Sequence, residues 1–287
     1  MITHLAELIT APLEYPFMVR ALLAVVLVAA LCAVLGVYVV LRGMAFLGDA
    51  LAHAILPGVA LGYVVHGGAR GPLFWWGLGA AVLASLGIGA VSRGAQIKED
   101  TAIGIIFAGM FALGIALVST MRSYAVDLSH MLFGNVLSVT NLDLWRIGGF
   151  SLLVLIVIIV LYKELLVLSF DPILAATLRL PVGLLHYLML LLIAVSVVIS
   201  LQTVGVALMI AMLVTPAATA YLLVRRLPVL MALSALIGAT AGVIGLYLSY
   251  YLHMASGPAV VLVCTGFFAL AFLFSPRRGL IWQLRRR

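Results

Sequence analysis

Residues 21–41 read Ala-Leu-Leu-Ala-Val-Val-Leu-Val-Ala-Ala-Leu-Cys-Ala-Val-Leu-Gly-Val-Tyr-Val-Val-Leu, with no charged or amide side chain anywhere in the run. A helix needs about 20 such residues to cross roughly 30 Å of hydrocarbon. The run is continuous rather than alternating, so it does not read as a β-barrel strand. Comparable runs recur along the chain. Of its 287 residues, 66% are apolar and 9% are charged, and the mean hydropathy is +1.32. An ordinary soluble domain carries about 25% charged residues. A water-soluble fold could not hide this much apolar surface. The expected fold is therefore all-α: a polytopic integral membrane helical bundle.

Candidate spans fall at 17–41, 46–65, 72–92, 101–121, 147–162, 182–202, 204–224, 229–252 and 257–275. The fifth is short and reads as partly re-entrant in one alternative, so the expected count is eight or nine. Two connections are long. Residues 122–146 carry Arg122, Asp127, His130, Asp143 and Arg146. Residues 163–181 run from Lys163 and Glu164 through Phe170-Asp171-Pro172 to Arg179 and Pro181. Ile173, Leu174, Leu178 and Leu180 alternate there with small or polar residues, which predicts a short helix at the membrane surface. No stretch suits a soluble domain, so 1–287 reads as a single transmembrane domain.

The formal net charge is +7, and Arg277, Arg278, Arg285, Arg286 and Arg287 crowd the end of the chain. Basic residues in short loops mark the cytoplasmic side. The tail 276–287, Arg225-Arg226, Lys163 with Arg179, and Arg93 with Lys98 all fall on one side, separated by pairs of spans. Nine spans then put the N-terminus outside. A tail after a last span reads as a cytoplasmic anchor rather than a nucleic-acid surface. Cys32 and Cys264 lie in apolar runs and read as small buried hydrophobes. Residues 1–16 lack a basic leader and a cleavage site, so no removable signal peptide is expected.

The chain has two lysines, Lys98 and Lys163, and neither ends a G-x-x-x-x-G-K-[ST] loop. It therefore lacks that phosphate cradle, and it lacks G-x-S-x-G and H-E-x-x-H as well. Any pumping must draw on an ion gradient or on another polypeptide.

The second span opens Gly48-Asp49-Ala50-Leu51-Ala52-His53-Ala54-Ile55-Leu56-Pro57-Gly58. On a helix, Asp49 and His53 share a face one turn apart. An aspartate within a span costs about 2.5–3.5 kcal/mol on insertion scales, which makes it a functional candidate by default. A carboxylate oxygen with an imidazole nitrogen suits Zn(II), Mn(II) or Fe(II). Two ligands make a weak site, and two copies facing each other across a dimer axis would supply four. Ala50, Ala54, Gly58 and Gly62 form a neighbouring stripe that permits close helix packing. Pro57, on the Asp49–His53 stripe, removes a backbone hydrogen bond and predicts a kink. Spacing alone leaves a second reading open: an Asp–His hydrogen bond, or an ion pair from Asp49 to Arg42, with no ligand. Thr215-Pro216 in a later span reads as a kink first and a pathway step second. Asp127 with His130 reads as a loop-ordering pair. His66, His186 and His253 read as polar residues at span ends, and Glu99-Asp100 as acidic charge at a helix N-terminus.

Several blocks, in order, resemble the membrane permeases of manganese/zinc/iron ABC importers, the ABC-3 type with a type II importer-like fold. These are Gly48–Ala54 with Pro57-Gly58-Val59-Ala60, Lys98-Glu99-Asp100-Thr101-Ala102-Ile103-Gly104, Asp127-Leu128, Leu132-Phe133-Gly134-Asn135, Phe170-Asp171-Pro172, and Val214-Thr215-Pro216-Ala217-Ala218-Thr219-Ala220. The resemblance implies a homodimer in the bacterial cytoplasmic membrane, two cytoplasmic ATP-binding subunits, and an extracellular or periplasmic metal-binding protein. It implies no permanently bound cofactor and no enzyme activity of the chain itself, the metal being cargo. It maps metal passage onto Asp49 and His53. It maps ATPase coupling onto 163–181, with Phe170, Asp171, Pro172, Ala175 and Arg179. The family often has glycine where this chain has Arg179, and an acidic residue where it has Ile173. A proton-coupled secondary metal transporter and a metal-chelate permease are the alternatives.

Overall fold

The computed structural model describes residues 10–66, 72–120 and 136–275. All regular structure there is helical. We number the helices α1 (Pro16–Leu41), α2 (Leu47–Ala54), α3 (Leu56–Val65), α4 (Leu73–Gly94), α5 (Glu99–Ser119), α6 (Asn141–Val160), α7 (Tyr162–Phe170), α8 (Pro172–Thr177), α9 (Val182–Val204), α10 (Val206–Leu223), α11 (Leu227–Leu252) and α12 (Ser256–Phe274). Taking α2 and α3 as one span, Leu47–Val65, nine helices among the described residues are long and apolar enough to cross a membrane.

The fifth candidate span is long and apolar enough for a full crossing. It starts at Asn141, not at 147, and runs 20 residues. Its start is set by a reciprocal cap. The Asp143 Oδ2 accepts from the Thr140 N–H (3.1 Å) and from its hydroxyl (2.6 Å), while the Asp143 N–H donates to Thr140 Oγ1 (3.3 Å). Such a box satisfies donors that the first helical turn otherwise leaves open. Asp143 and Arg146 are thus helical. The expected loop 163–181 is also partly helical, because Tyr162–Phe170 continues as α7 after a single break at Leu161. Asp127, His130, the block 132–135 and the basic tail 276–287 lie outside the described residues.

The chain divides into two compact units. One holds Met1–Val37, Phe133–Ser151 and Thr203–Arg287; the other holds Tyr38–Leu132 and Leu152–Gln202. In the first, α10, α11 and α12 pack on one another. The first part of α1 joins them so closely that a Cβ on Gly36 would fall 1.7 Å from the Leu213 carbonyl oxygen. Only hydrogen fits there, and the contact lets backbones meet without side chains between them. Pro216 is buried inside α10, and the Thr219 hydroxyl donates to the Thr215 carbonyl (2.7 Å). In the second unit, α2 and α3 pack against α4 and α5, and α7 packs on α8.

A candidate metal pathway on the second span

The span Leu47–Val65 is interrupted at Ile55, and Pro57 stands in the first turn of α3. A proline costs least at that position, where its missing N–H has no helical partner to lose. The small-residue stripe does what its spacing suggests. A Cβ on Gly58 would lie 2.3 Å from the Trp76 carbonyl oxygen, and one on Gly62 would lie 2.7 Å from the Trp76 ring. The stripe therefore seats the span on α4. Pro57 does not share the open stripe with Asp49 and His53. It is buried, and it lines an apolar cavity of about 520 Å³ with Gly58, Leu61, Trp75, Trp76 and Met110.

Every residue from Leu47 to Ala60 is buried except Asp49 and His53. Their side chains remain 31% and 27% exposed. The one open stripe of this segment thus carries both of its ionisable groups. The His53 Nε2 lies 3.4 Å from the Asp49 Oδ1, close enough to share a ligand but longer than a good hydrogen bond. The imidazole is flanked by α5, edge-on to Phe107 (6.1 Å) and Phe111 (5.4 Å), whose rings stack at 5.6 Å. Phe46 meets Phe107 edge-on at 5.5 Å. This apolar wall fixes the ring on one side and leaves the carboxylate side open. Neither phenylalanine stands out in the sequence, because an i, i+4 pair of aromatics in an apolar run is ordinary core. Among the described residues, no group of three or more His, Cys, Asp or Glu side chains comes together. The pair thus offers two ligands and space for others.

Arg42 is not the partner of Asp49. Its guanidinium Nη2 meets the Glu99 carboxylate at 2.5 Å, and it also lies 3.0 Å from the His186 Nδ1. His186 is not a polar residue at the surface either, being 5% exposed.

The segment after α7 is built by Asp171. Its Oδ1 accepts from the Ile173 (3.0 Å) and Leu174 (2.9 Å) N–H groups and so caps α8. Proline at the first helical position suits such a cap. Ala175 is fully buried, while Phe170 (62%), Ile173 (79%), Leu174 (47%) and Leu178 (56%) are exposed. Four large apolar side chains thus stand on one short, capped segment. Arg179 has φ +58°, and the Leu180 N–H returns to the Ala175 carbonyl (3.0 Å). That is a helix ending in the left-handed region, where glycine is the usual residue.

A helical chain with nine candidate spans among its described residues, a polar pair inside one and an exposed apolar segment between two others, has the architecture of a membrane permease. The ABC 3 transport family model matches residues 14–275, and the chain belongs to that family. It is 46% identical to the manganese transport system membrane protein MntC of Halalkalibacterium halodurans, over 96% of this chain and 94% of that protein. It is 37% identical to the chelated iron transport system membrane protein YfeD of Yersinia pestis, over 94% and 90%. Among solved structures, PsaBC from Streptococcus pneumoniae in complex with Fab matches with TM-score 0.82 and 37% identity, over 98% of this chain and 99% of that one. The chain is the permease subunit of an ABC importer in the cytoplasmic membrane, and ATP hydrolysis belongs to a separate subunit.

Proposed function

We propose that this permease carries a divalent first-row transition metal inward, manganese foremost, with Asp49 and His53 of two copies lining the path. The observation that carries the reading is the open stripe of Leu47–Ala60, on which those two residues alone remain uncovered. An oxygen–nitrogen ligand pair suits Mn(II) and Fe(II), and the absence of a thiolate keeps the ion exchangeable. Two such pairs across a twofold axis provide four protein ligands. The relatives named for manganese and for iron transport support the choice of cargo, and the same ligands accept Zn(II). The segment Phe170–Arg179 docks on the ATP-binding subunit through Phe170, Ile173, Leu174 and Leu178, and a metal-binding protein outside the membrane delivers the ion.

The test is metal uptake by the complete complex in vesicles. Asp49→Ala and His53→Ala are each expected to abolish manganese uptake while the complex still assembles. Wild-type uptake by both variants would sink the assignment. A second reading, passage of a metal chelate, is favoured by the relative named for chelated iron. Free Mn(II) that competes with uptake speaks for the bare ion, and uptake that needs the chelator speaks for the chelate.

A further inference from the structure

A second ionic cluster lies in the same unit as the Asp49–His53 pair, and metal passage gives it no role. Arg42 Nη2 meets Glu99 Oε1, the His186 Nδ1 lies 3.0 Å from the same nitrogen and 3.4 Å from the same carboxylate oxygen, and Arg42 Nη1 lies 3.7 Å from the Met189 sulfur. The side chains of Arg42 and His186 are only 10% and 6% exposed. Arginine donates and never accepts, so Nδ1 is the acceptor and the ring proton sits on Nε2. That Nε2 is buried with no hydrogen-bond partner among the described residues. A buried orphan donor is costly and calls for an explanation.

The cluster joins three elements. His186 stands in the second turn of α9, which follows the C-terminal turn of α8 through Leu178–Pro181. Arg93 of α4 lies 6.0 Å from the Tyr187 ring centroid and grips the same turn. Arg42 leaves α1 and leads into α2 through a tight turn, in which Met44 N–H donates to Val39 (2.9 Å) and Leu47 N–H to Met44 (2.9 Å). Asp49 is then two residues into α2. Glu99 opens α5, the helix whose Phe107 and Phe111 flank His53. One end of the cluster is thus held by the chain leaving the exposed segment, and the other two by the helices that shape the Asp49–His53 pair.

We propose that Arg42, Glu99 and His186 are positioning residues that carry displacement of the α8 segment to the Asp49–His53 pair, coupling ATP turnover to metal passage. This rests on the reading of α8 as the ATPase-docking segment and of Asp49 and His53 as metal ligands. A rigid cluster between two helix ends moves both together, because packed charged groups have discrete rather than graded arrangements.

The experiment uses the complete complex in vesicles and reads three quantities on each preparation: ATP hydrolysis, manganese uptake, and Mn(II) bound in detergent by electron paramagnetic resonance. For Glu99→Gln and His186→Gln, manganese carried per ATP is expected to fall about tenfold, with Mn(II) binding within about twofold of wild type. The exchange Arg42→Glu with Glu99→Arg is expected to recover part of the loss. An unchanged ratio in both single variants overturns the proposal, and so does a fall matched by equal loss of Mn(II) binding. If Glu99→Gln does not assemble, His186→Gln decides by the same criteria. Asp49→Ala in parallel tests the site separately: retained Mn(II) binding there overturns the ligand assignment.

Discussion

Asp49 sits in a span at a cost of about 2.5–3.5 kcal/mol, and the fold surrounds it with buried neighbours while leaving its own face open. An aspartate kept only for structure would be paired off. Among the described residues its ionic neighbour is His53, 3.4 Å away, and Arg42, the cation closest in sequence, is engaged by Glu99. Asp49→Asn preserves shape and removes charge, so it should lower apparent manganese affinity by about 10–100-fold with little effect on assembly; isothermal titration of the complex checks this. Arg179 supplies a different residue-scale test. Its positive φ strains a side chain that glycine lacks, so Arg179→Gly should stabilise the permease by about 0.5–1 kcal/mol in thermal unfolding. Asp49 and His53 were legible in the sequence because charge inside an apolar run is conspicuous. Phe107, Phe111 and the Arg42–Glu99–His186 cluster were not, because each contact joins helices whose mutual placement no local spacing encodes.

At the scale of elements, the nine apolar runs were legible and their edges less so. The fifth span begins six residues before the hydropathic run, since Asp143 and Arg146 read as loop charges. The signal was present as Thr140-x-x-Asp143, a cap pattern ahead of an apolar stretch. Thr140→Ala should destabilise the permease by about 1 kcal/mol, read as a lowered unfolding temperature in detergent. Pro57 was legible as a break but not as buried, because its burial is set by the neighbouring helices and not by its spacing from Asp49 and His53. The close seat of Gly58 on the Trp76 carbonyl has no slack. Gly58→Val should therefore abolish accumulation of folded permease, whereas Gly79→Ala, facing open space, should leave it unchanged; fluorescence-detected size exclusion distinguishes them.

For the molecule as a whole, loop parity finds support inside the second unit. Arg42 follows the first span, Glu99 follows the third with its loop, and His186 follows the fifth with its loop, and the three side chains meet. Within this unit the connections after the first, third and fifth spans therefore share one side, and Arg93, Lys98, Lys163 and Arg179 belong to two of those connections. Counting about 1.5 Å per residue from Leu47, His53 lies about 9 Å into the span from that side. The pair thus stands inside the span, and an ion arriving from the opposite side crosses most of its length to reach it. A permease without its ATPase subunits should not concentrate manganese in vesicles, and gradient-driven uptake by the chain alone would favour proton coupling instead. The most direct test of the metal pathway is the manganese content of the complete complex after equilibration with Mn(II) and rapid desalting. One ion per two permease chains, lost in both Asp49→Asn and His53→Ala, is the predicted result; an ion retained undiminished in both variants would contradict it.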